Sequence, residues 1–379
     1  MKILVASDSF KGTLTSLDVG QIIESELPDY HNIDIFPVSD GGEGFLASMR
    51  SVFPGDERTV RCPDPLGKEI SCSYIISDGG IALIESAAAC GLGLLADRDR
   101  NPMRAGTYGL GVLMRDALHQ GVRTIYIGLG GSMTNDGGAG LMRALGVKLL
   151  DDEGKEILQE GGRVLKSIAE LDLSGLDMRA KEARIIVIGD VDNPLLGERG
   201  ATRVYGPQKG ANAVMVEDLE AGMVRYAAVV SRKFGVDYSV DPGVGAAGGL
   251  GFCLRAFLGA RIYRGIEAMI ELTGLEERVR GYDLIITGEG KLDRQTGSGK
   301  VPLGILRLGE RYRVPVICLC GVDESGGAYS FERVFPIVPG HGTMEESLAE
   351  TGTRFRKLIR EELIPWLHSK EDLFTIEEK

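Results

Sequence analysis

No stretch of this 379-residue chain approaches the roughly 18 uninterrupted apolar residues that a membrane-spanning helix requires, so a helical membrane protein is not expected. Clustered basic charge is missing too. The 43 Lys and Arg stand against 55 Asp and Glu, a formal net charge of -12, which repels a polyanion such as nucleic acid. Histidine is scarce: His31, His119, His341 and His368 are far apart and show no His-x-x-x-His spacing, which argues against a histidine-based zinc site. The six cysteines (Cys62, Cys72, Cys90, Cys253, Cys318 and Cys320) make no Cys-x-x-Cys pair and sit in apolar surroundings, so they read as buried thiols. Residues 1–10 lack the long apolar region and small-residue cleavage site of a secretory signal, and a cytoplasmic protein is expected.

Glycine, by contrast, is abundant. Its 54 residues are about twice the usual share of ~7%. They cluster without a period, as in loops whose backbone comes close to a ligand. With 43% hydrophobic and 26% charged residues the rest of the composition is that of ordinary folded domains, and the length suggests two of them.

Residues 2–6 form an apolar run of the buried-strand type, and 15–27 follow with helical spacing (Leu17, Ile22, Ile23, Leu27) behind a Ser/Thr start. The strand-then-helix pattern recurs at 33–38 with 43–52 and at 282–287 with 301–312. Strands over 314–319 and 333–338 and an amphipathic helix over 344–367, ending around Pro365, complete the chain. Such alternation predicts right-handed crossovers and a parallel sheet covered on both faces. The middle reads differently. Strands over 58–61, 69–76 and 81–85 are spaced as hairpins, followed by a helix over 106–119, strands over 124–128 and 184–189, and a helix over 216–234. The expected architecture is α/β: a doubly wound parallel-sheet domain built from residues 1–65 and 280–379, with residues 66–279 inserted as a second α/β domain.

Five glycine-rich, acid-bearing loops each follow a predicted strand: SDSFKGTLTS (7–16), PVSDGGEG (37–44), GLGGSMTNDGGAG (128–140), IGDVDNPLLG (188–197) and TGEGKLDRQTGSGK (287–300). Parallel α/β sheets bind ligands where such loops meet helix N-termini. Glycines let backbone amides face phosphate oxygens, Lys11, Lys291 and Lys300 supply positive charge, and Asp40, Asp136, Asp190 and Asp192 suit Mg²⁺, directly or through water. Phosphoryl transfer asks mainly for positioning and charge stabilisation, with a carboxylate near the attacking hydroxyl. Taken singly, several of these residues also suit plain structural roles. Asp40, Thr134 and Asp136 are good helix caps, Lys11 reads as a solvated side chain, and 291–300 as a surface loop. Asp190 and Asp192, alternating just past a buried strand, place both carboxylates at its polar end.

Two nucleotide motifs fail on inspection. TGSGK at 296–300 resembles the end of a P-loop, but Arg294 stands where the first glycine belongs and Val301 where Ser or Thr would meet Mg²⁺. GVGAAG at 243–248 follows Pro242 and a polar stretch instead of a strand, which argues against a dinucleotide site.

Together with GDVDNPLLGERGAT (189–202), YGPQKGA (205–211) and PGVGAAGGLG (242–251), the five loops make the chain resemble the type I glycerate kinase family, in the family's order over nearly the whole length. The resemblance implies a flavodoxin-like domain made from both chain ends, an inserted α/β domain, ATP and Mg²⁺ as co-substrates, and D-glycerate as acceptor, phosphorylated at the 2-hydroxyl. The 3-hydroxyl, a related hydroxy acid, and a nucleotide- or anion-binding regulatory module are the alternatives, as is whether the protein is a monomer or a homodimer. By residue type and loop position, Asp192 is expected to orient or deprotonate the hydroxyl, with Asp190 assisting through Mg²⁺ and Asp40 as a further metal ligand. Lys11 and Ser9 are expected to meet the acceptor together with Thr134, Asn135, Asp136 and Asn193. Gly288, Gly290, Lys291, Thr296, Gly297, Lys300, Asp40, Gly41 and Gly42 are expected to hold the nucleotide.

Overall fold

A computed structural model describes residues 1–10, 12–28, 31–39, 41–42, 44–293, 300–338 and 350–374, the side chains of 371–374 excepted. Its strands are β1 (Lys2–Val5), β2 (Asn32–Ile35), β3 (Gly55–Pro63), β4 (Glu69–Ser77), β5 (Ile81–Glu85), β6 (Thr124–Gly128), β7 (Lys148–Leu150), β8 (Glu170–Asp172), β9 (Arg184–Gly189), β10 (Arg261–Arg264), β11 (Leu284–Asp293), β12 (Val316–Glu324) and β13 (Arg333–Pro336). The chain divides into two compact units. One comprises Met1–Asp40, Ala47–Val52 and Gly265–Lys379, the other Gly41–Leu46 and Phe53–Arg264.

The first unit is a five-stranded, wholly parallel sheet in the order β2-β1-β11-β12-β13, the flavodoxin order. Its central strands are nearly continuous apolar runs, as a sheet covered on both faces requires. Ile3, Val5, Ile286, Ile317 and Leu319 pack against Val19, Ile22 and Ile23 of the helix Ser16–Glu26 and against Phe355, Ile359 and Trp366 near the C-terminus. The helix Val301–Tyr312 contacts β11 and β12. Residues 339–349, which include the start of the expected 344–367 helix, lie outside the described residues. Its expected end at Pro365 is corrected: Thr351–Leu358 runs through a π-turn, Ile359–Leu363, into Ile364–Phe374. The wide turn shifts the hydrogen-bond register just before Pro365, whose missing N–H then falls in the first turn of the next segment.

The second unit carries a six-stranded mixed sheet, β3-β4-β5-β6-β9-β10, antiparallel through β5 and parallel beyond it, with β7 and β8 as a separate pair. The closely spaced strands thus form hairpins, as expected. Strand β3, which a boundary at residue 65 assigns to the chain-end domain, pairs along its whole length with β4, while the helices Gly265–Thr273 and Leu275–Val279 fall in the first unit. All six cysteines are buried and free.

Residues 243–249 have a packing role. Ala247, Gly248 and Gly249 all adopt left-handed backbone angles (φ 53, 68 and 91°) and kink the helix Ala246–Leu258. The kink brings the chain onto the loop after β6: the Gly137 N–H donates to the Gly248 carbonyl at 3.0 Å. A Cβ on Gly248 would lie 1.9 Å from the Thr134 carbonyl oxygen. Glycine is needed here for close approach of two protein backbones. Gly248→Ala should therefore destabilise the fold by about 2 kcal/mol or more, read as a lowered urea midpoint; an unchanged midpoint would contradict this packing.

Candidate active site

In the first unit the strand order reverses between β1 and β11, the switch point at which doubly wound sheets open a crevice beyond their carboxyl ends. The loop leaving β1 holds Ser7, Asp8 and Ser9, whereas Gly288, Gly290 and Lys291, expected in a loop, lie within β11, which runs on to Asp293 and keeps pairing with β12. Loop and strand are tied together by the Asp8 N–H, which donates to the Gly288 carbonyl at 2.9 Å. Ser9 N–H donates to the Asp8 carboxylate at 2.7 Å. The Ser16 hydroxyl donates to the Ser7 carbonyl at 2.6 Å and accepts from Val38 N–H at 3.1 Å, fixing where the loop returns to its helix. Thr15 and Asp18 close that helix start as a reciprocal capping box.

Lys291 lies 2.9 Å from Glu324, which raises the pKa of its ammonium, and Lys300 lies 3.5 Å from Glu289. Both lysines are about 40% exposed. The Lys291–Glu324 pair is open at both ends and weak, so a phosphate can replace that carboxylate at little cost, whereas Glu289 is buried and its pair with Lys300 is not of that kind. Lys300 is also the N-cap residue of the helix Val301–Tyr312, whose first-turn amides carry partial positive charge. Lys11, Asp40, Thr296 and Gly297 lie outside the described residues.

In the second unit the candidates gather at the carboxyl ends of β6, β9 and β10. Asp190 and Asp192 are both exposed, at the polar end of β9. The Asp192 carboxylate lies 3.2 Å from the Arg199 guanidinium and 4.0 Å from that of Arg264. Beside it the Tyr205 hydroxyl donates to Asn193 Oδ1 at 2.7 Å, and Asn193 Nδ2 donates to the Arg199 carbonyl at 2.7 Å. Burial, and then the charges of Asp190 and Asp192, push the Tyr205 phenol up to about 12, so it remains a donor. Gly41 and Gly42 lie against these strand ends: a Cβ on Gly41 would fall 2.4 Å from the Ile188 carbonyl oxygen, and one on Gly130 would fall 2.1 Å from Gly42 Cα.

Thr134, Asn135 and Asp136, expected at the acceptor, have essentially no exposed surface. Asp136 Oδ2 accepts from Thr107 N–H (2.9 Å), the Thr107 hydroxyl (2.8 Å) and Gly140 N–H (3.2 Å), and Oδ1 from Gly138 N–H (3.0 Å). The Thr107 hydroxyl in turn accepts from Leu141 N–H, so its single proton points at the carboxylate. Burial raises the Asp136 carboxyl above its usual range even against these donors. The carboxylate therefore holds the start of the helix Ala139–Ala144, the capping role that its position also allowed, and its oxygens are turned away from solvent. Asn135 Nδ2 donates to the Thr202 hydroxyl at 3.0 Å.

Besides Arg199 and Arg264, a buried lysine in this region stands outside the expected set. Lys209, of the YGPQKGA segment, is 2% exposed, and its ammonium donates to the Thr134 carbonyl at 2.7 Å and to Ser132 Oγ at 3.2 Å. Lysines are mostly exposed, so nothing in the sequence but the flanking glycines and Pro207 hinted at a tight turn.

The parallel sheets, the glycine loops at their carboxyl ends and the exposed acids beside β9 define an α/β protein of the phosphotransferase class. A family model described as the glycerate kinase family matches residues 3–364. The glycerate kinase of Halalkalibacterium halodurans is 40% identical over 367 residues, covering 94% of this chain and 96% of that protein. The glycerate 2-kinase of Escherichia coli is 42% identical over 356 residues, covering 92% and 93%. A Salmonella typhimurium protein described as glycerate kinase 2 has a crystal structure that matches with a TM-score of 0.85 at 40% identity, over 98% of this chain and 99% of that one. This chain belongs to the glycerate kinase family.

If Asp136 anchors its loop as described, Asp136→Asn places an amide donor against donors and should destabilise the protein by about 2 to 4 kcal/mol. Chemical denaturation checks this, and an unchanged midpoint would remove Asp136 from that role.

Proposed function

We propose that this protein transfers the γ-phosphoryl group of ATP to the 2-hydroxyl of D-glycerate, giving 2-phosphoglycerate, in the cytoplasm. The observation that carries the reading within the family frame is Asp192: an exposed carboxylate at the end of β9, beside the guanidinium groups of Arg199 and Arg264 and next to a second acid, Asp190. An ionised carboxylate in hydrogen-bond reach of an alcohol orients it and takes its proton as the bond to phosphorus forms. The leaving ADP carries the developing charge. Lys291, near the end of β11, and Lys300, at the start of its helix, suit the β- and γ-phosphates as two cations, with Gly288 and Gly290 of β11 assigned beside them. Lys11 is assigned to the carboxylate of the acceptor.

Mg²⁺ in kinases is held by one or two carboxylates together with the phosphates, not by a dedicated protein cage. Among the described residues there is no cluster of three or more His, Cys, Asp or Glu side chains suited to a metal. Asp190, exposed and adjacent to Asp192, fits the sparser donor set, with Asp40 as the second ligand proposed from the sequence. Held by these carboxylates, Mg²⁺ would supply charge neutralisation to the phosphates. No helix among the described residues is long and apolar enough to cross a membrane.

ADP release, followed by a coupled assay, should depend on both D-glycerate and a divalent cation; equal turnover in excess EDTA would rule out the metal. Asp192→Asn keeps size but loses charge and basicity, and should lower kcat by about 10² to 10⁴ with ATP affinity nearly unchanged. Retention of more than about half the parental kcat would move the role to Asp190.

A further inference from the structure

The turn that carries Lys209 touches both loops of the second unit's site. The helix Ala201–Tyr205 stops at Gly206, a 3₁₀ turn Pro207–Lys209 follows, and Gly210 closes it in the left-handed conformation. From this short segment Lys209 bonds to Ser132 and Thr134, and the Thr202 hydroxyl accepts from Asn135, all in the loop after β6. From the same segment the Tyr205 hydroxyl bonds to Asn193, whose amide bonds to the Arg199 carbonyl, in the loop after β9.

A lysine head enclosed in protein is costly to desolvate, and an apolar side chain of similar volume would serve the core at least as well. Burial brings its pKa down to about 7, while the facing Asp136 carboxylate and Cys90 thiol act in the opposite direction. Amine and ammonium alike supply the two donors that Ser132 and Thr134 accept. What an apolar replacement cannot supply is the hold on the Thr134 carbonyl.

We propose that Lys209 is a positioning residue for phosphoryl transfer, fixing the loop after β6 to the turn that also holds the Asp190–Asp192 loop. It touches no substrate. Its effect reaches the chemistry through the placement of Asp192, and the proposal rests on the kinase reading given above.

Lys209→Met removes a buried ammonium but leaves the Thr134 carbonyl without that donor, so the two effects offset and the melting temperature should move by no more than about 4 °C. Its kcat with D-glycerate should fall by about tenfold or more, because small misplacements near reacting groups are costly, while KM for ATP stays within about twofold. Ser132→Ala should shift kcat in the same direction by less, and its effect should not add fully to that of Lys209→Met, while Lys209→Arg, which keeps donors on the same carbonyl, should retain most of the parental kcat. A Met variant with parental kcat overturns the proposal. So does loss of kcat matched by loss of folding, which would assign Lys209 to stability. Hydrogen exchange over residues 130–136 and 190–195 reads the brace without substrate: exchange should quicken in Lys209→Met, and unchanged exchange would overturn the brace even if the parent enzyme proved inactive toward D-glycerate. Such inactivity alone would instead sink the kinase reading.

Discussion

A single buried carboxylate organises the second unit. Asp136 accepts four hydrogen bonds from Thr107, Gly138 and Gly140, and through them joins the chain before the helix Tyr108–His119 to the start of the helix Ala139–Ala144. Residues 131–135, between β6 and this anchor, have little freedom left. They are crossed on one side by the kinked 247–249 backbone and tied on another to Lys209 and Thr202. Buried polar groups so connected rigidify a structure; left partly connected they destabilise it. The exposed acids after β9 leave a strand paired with β6, whose following loop these bonds hold in place, and fixed surroundings are the condition for placing a reacting hydroxyl accurately.

The first unit works by a different constraint. Its parallel strands are apolar because both faces are covered, so polar groups appear only where strands end. At the β1/β11 reversal those ends carry glycines, serines and half-exposed lysines, of which Lys291 pairs with an open carboxylate and Lys300 with the buried Glu289.

Much of the fold was legible in the sequence, because buried strands such as ILV at 3–5 and IIVI at 185–188 have few alternatives and strand-helix alternation dictates a parallel sheet. The unit edges were less so. Strand β3 is mostly exposed and charged, and nothing local tells which sheet it joins. Pro365 looked like a helix end because the π-turn that accommodates it has no sequence signature. Among the site candidates, residue type could not separate Asp136 from Asp192. Both follow buried strands in glycine-rich loops, and only the tertiary packing turns one toward backbone amides and leaves the other among arginines. Lys209 shows the same limit from the other side, a residue type that signals solvent and a fold that encloses it.

The account stands or falls on the product. Proton-coupled ³¹P NMR of the reaction with ATP and D-glycerate distinguishes the two esters directly, since phosphate on the 2-hydroxyl couples to one methine proton and phosphate on the 3-hydroxyl to two methylene protons. A new doublet appearing as ATP gives way to ADP is the result expected. A triplet would contradict the assigned hydroxyl, and ATP left intact in the presence of D-glycerate and Mg²⁺ would contradict the activity itself.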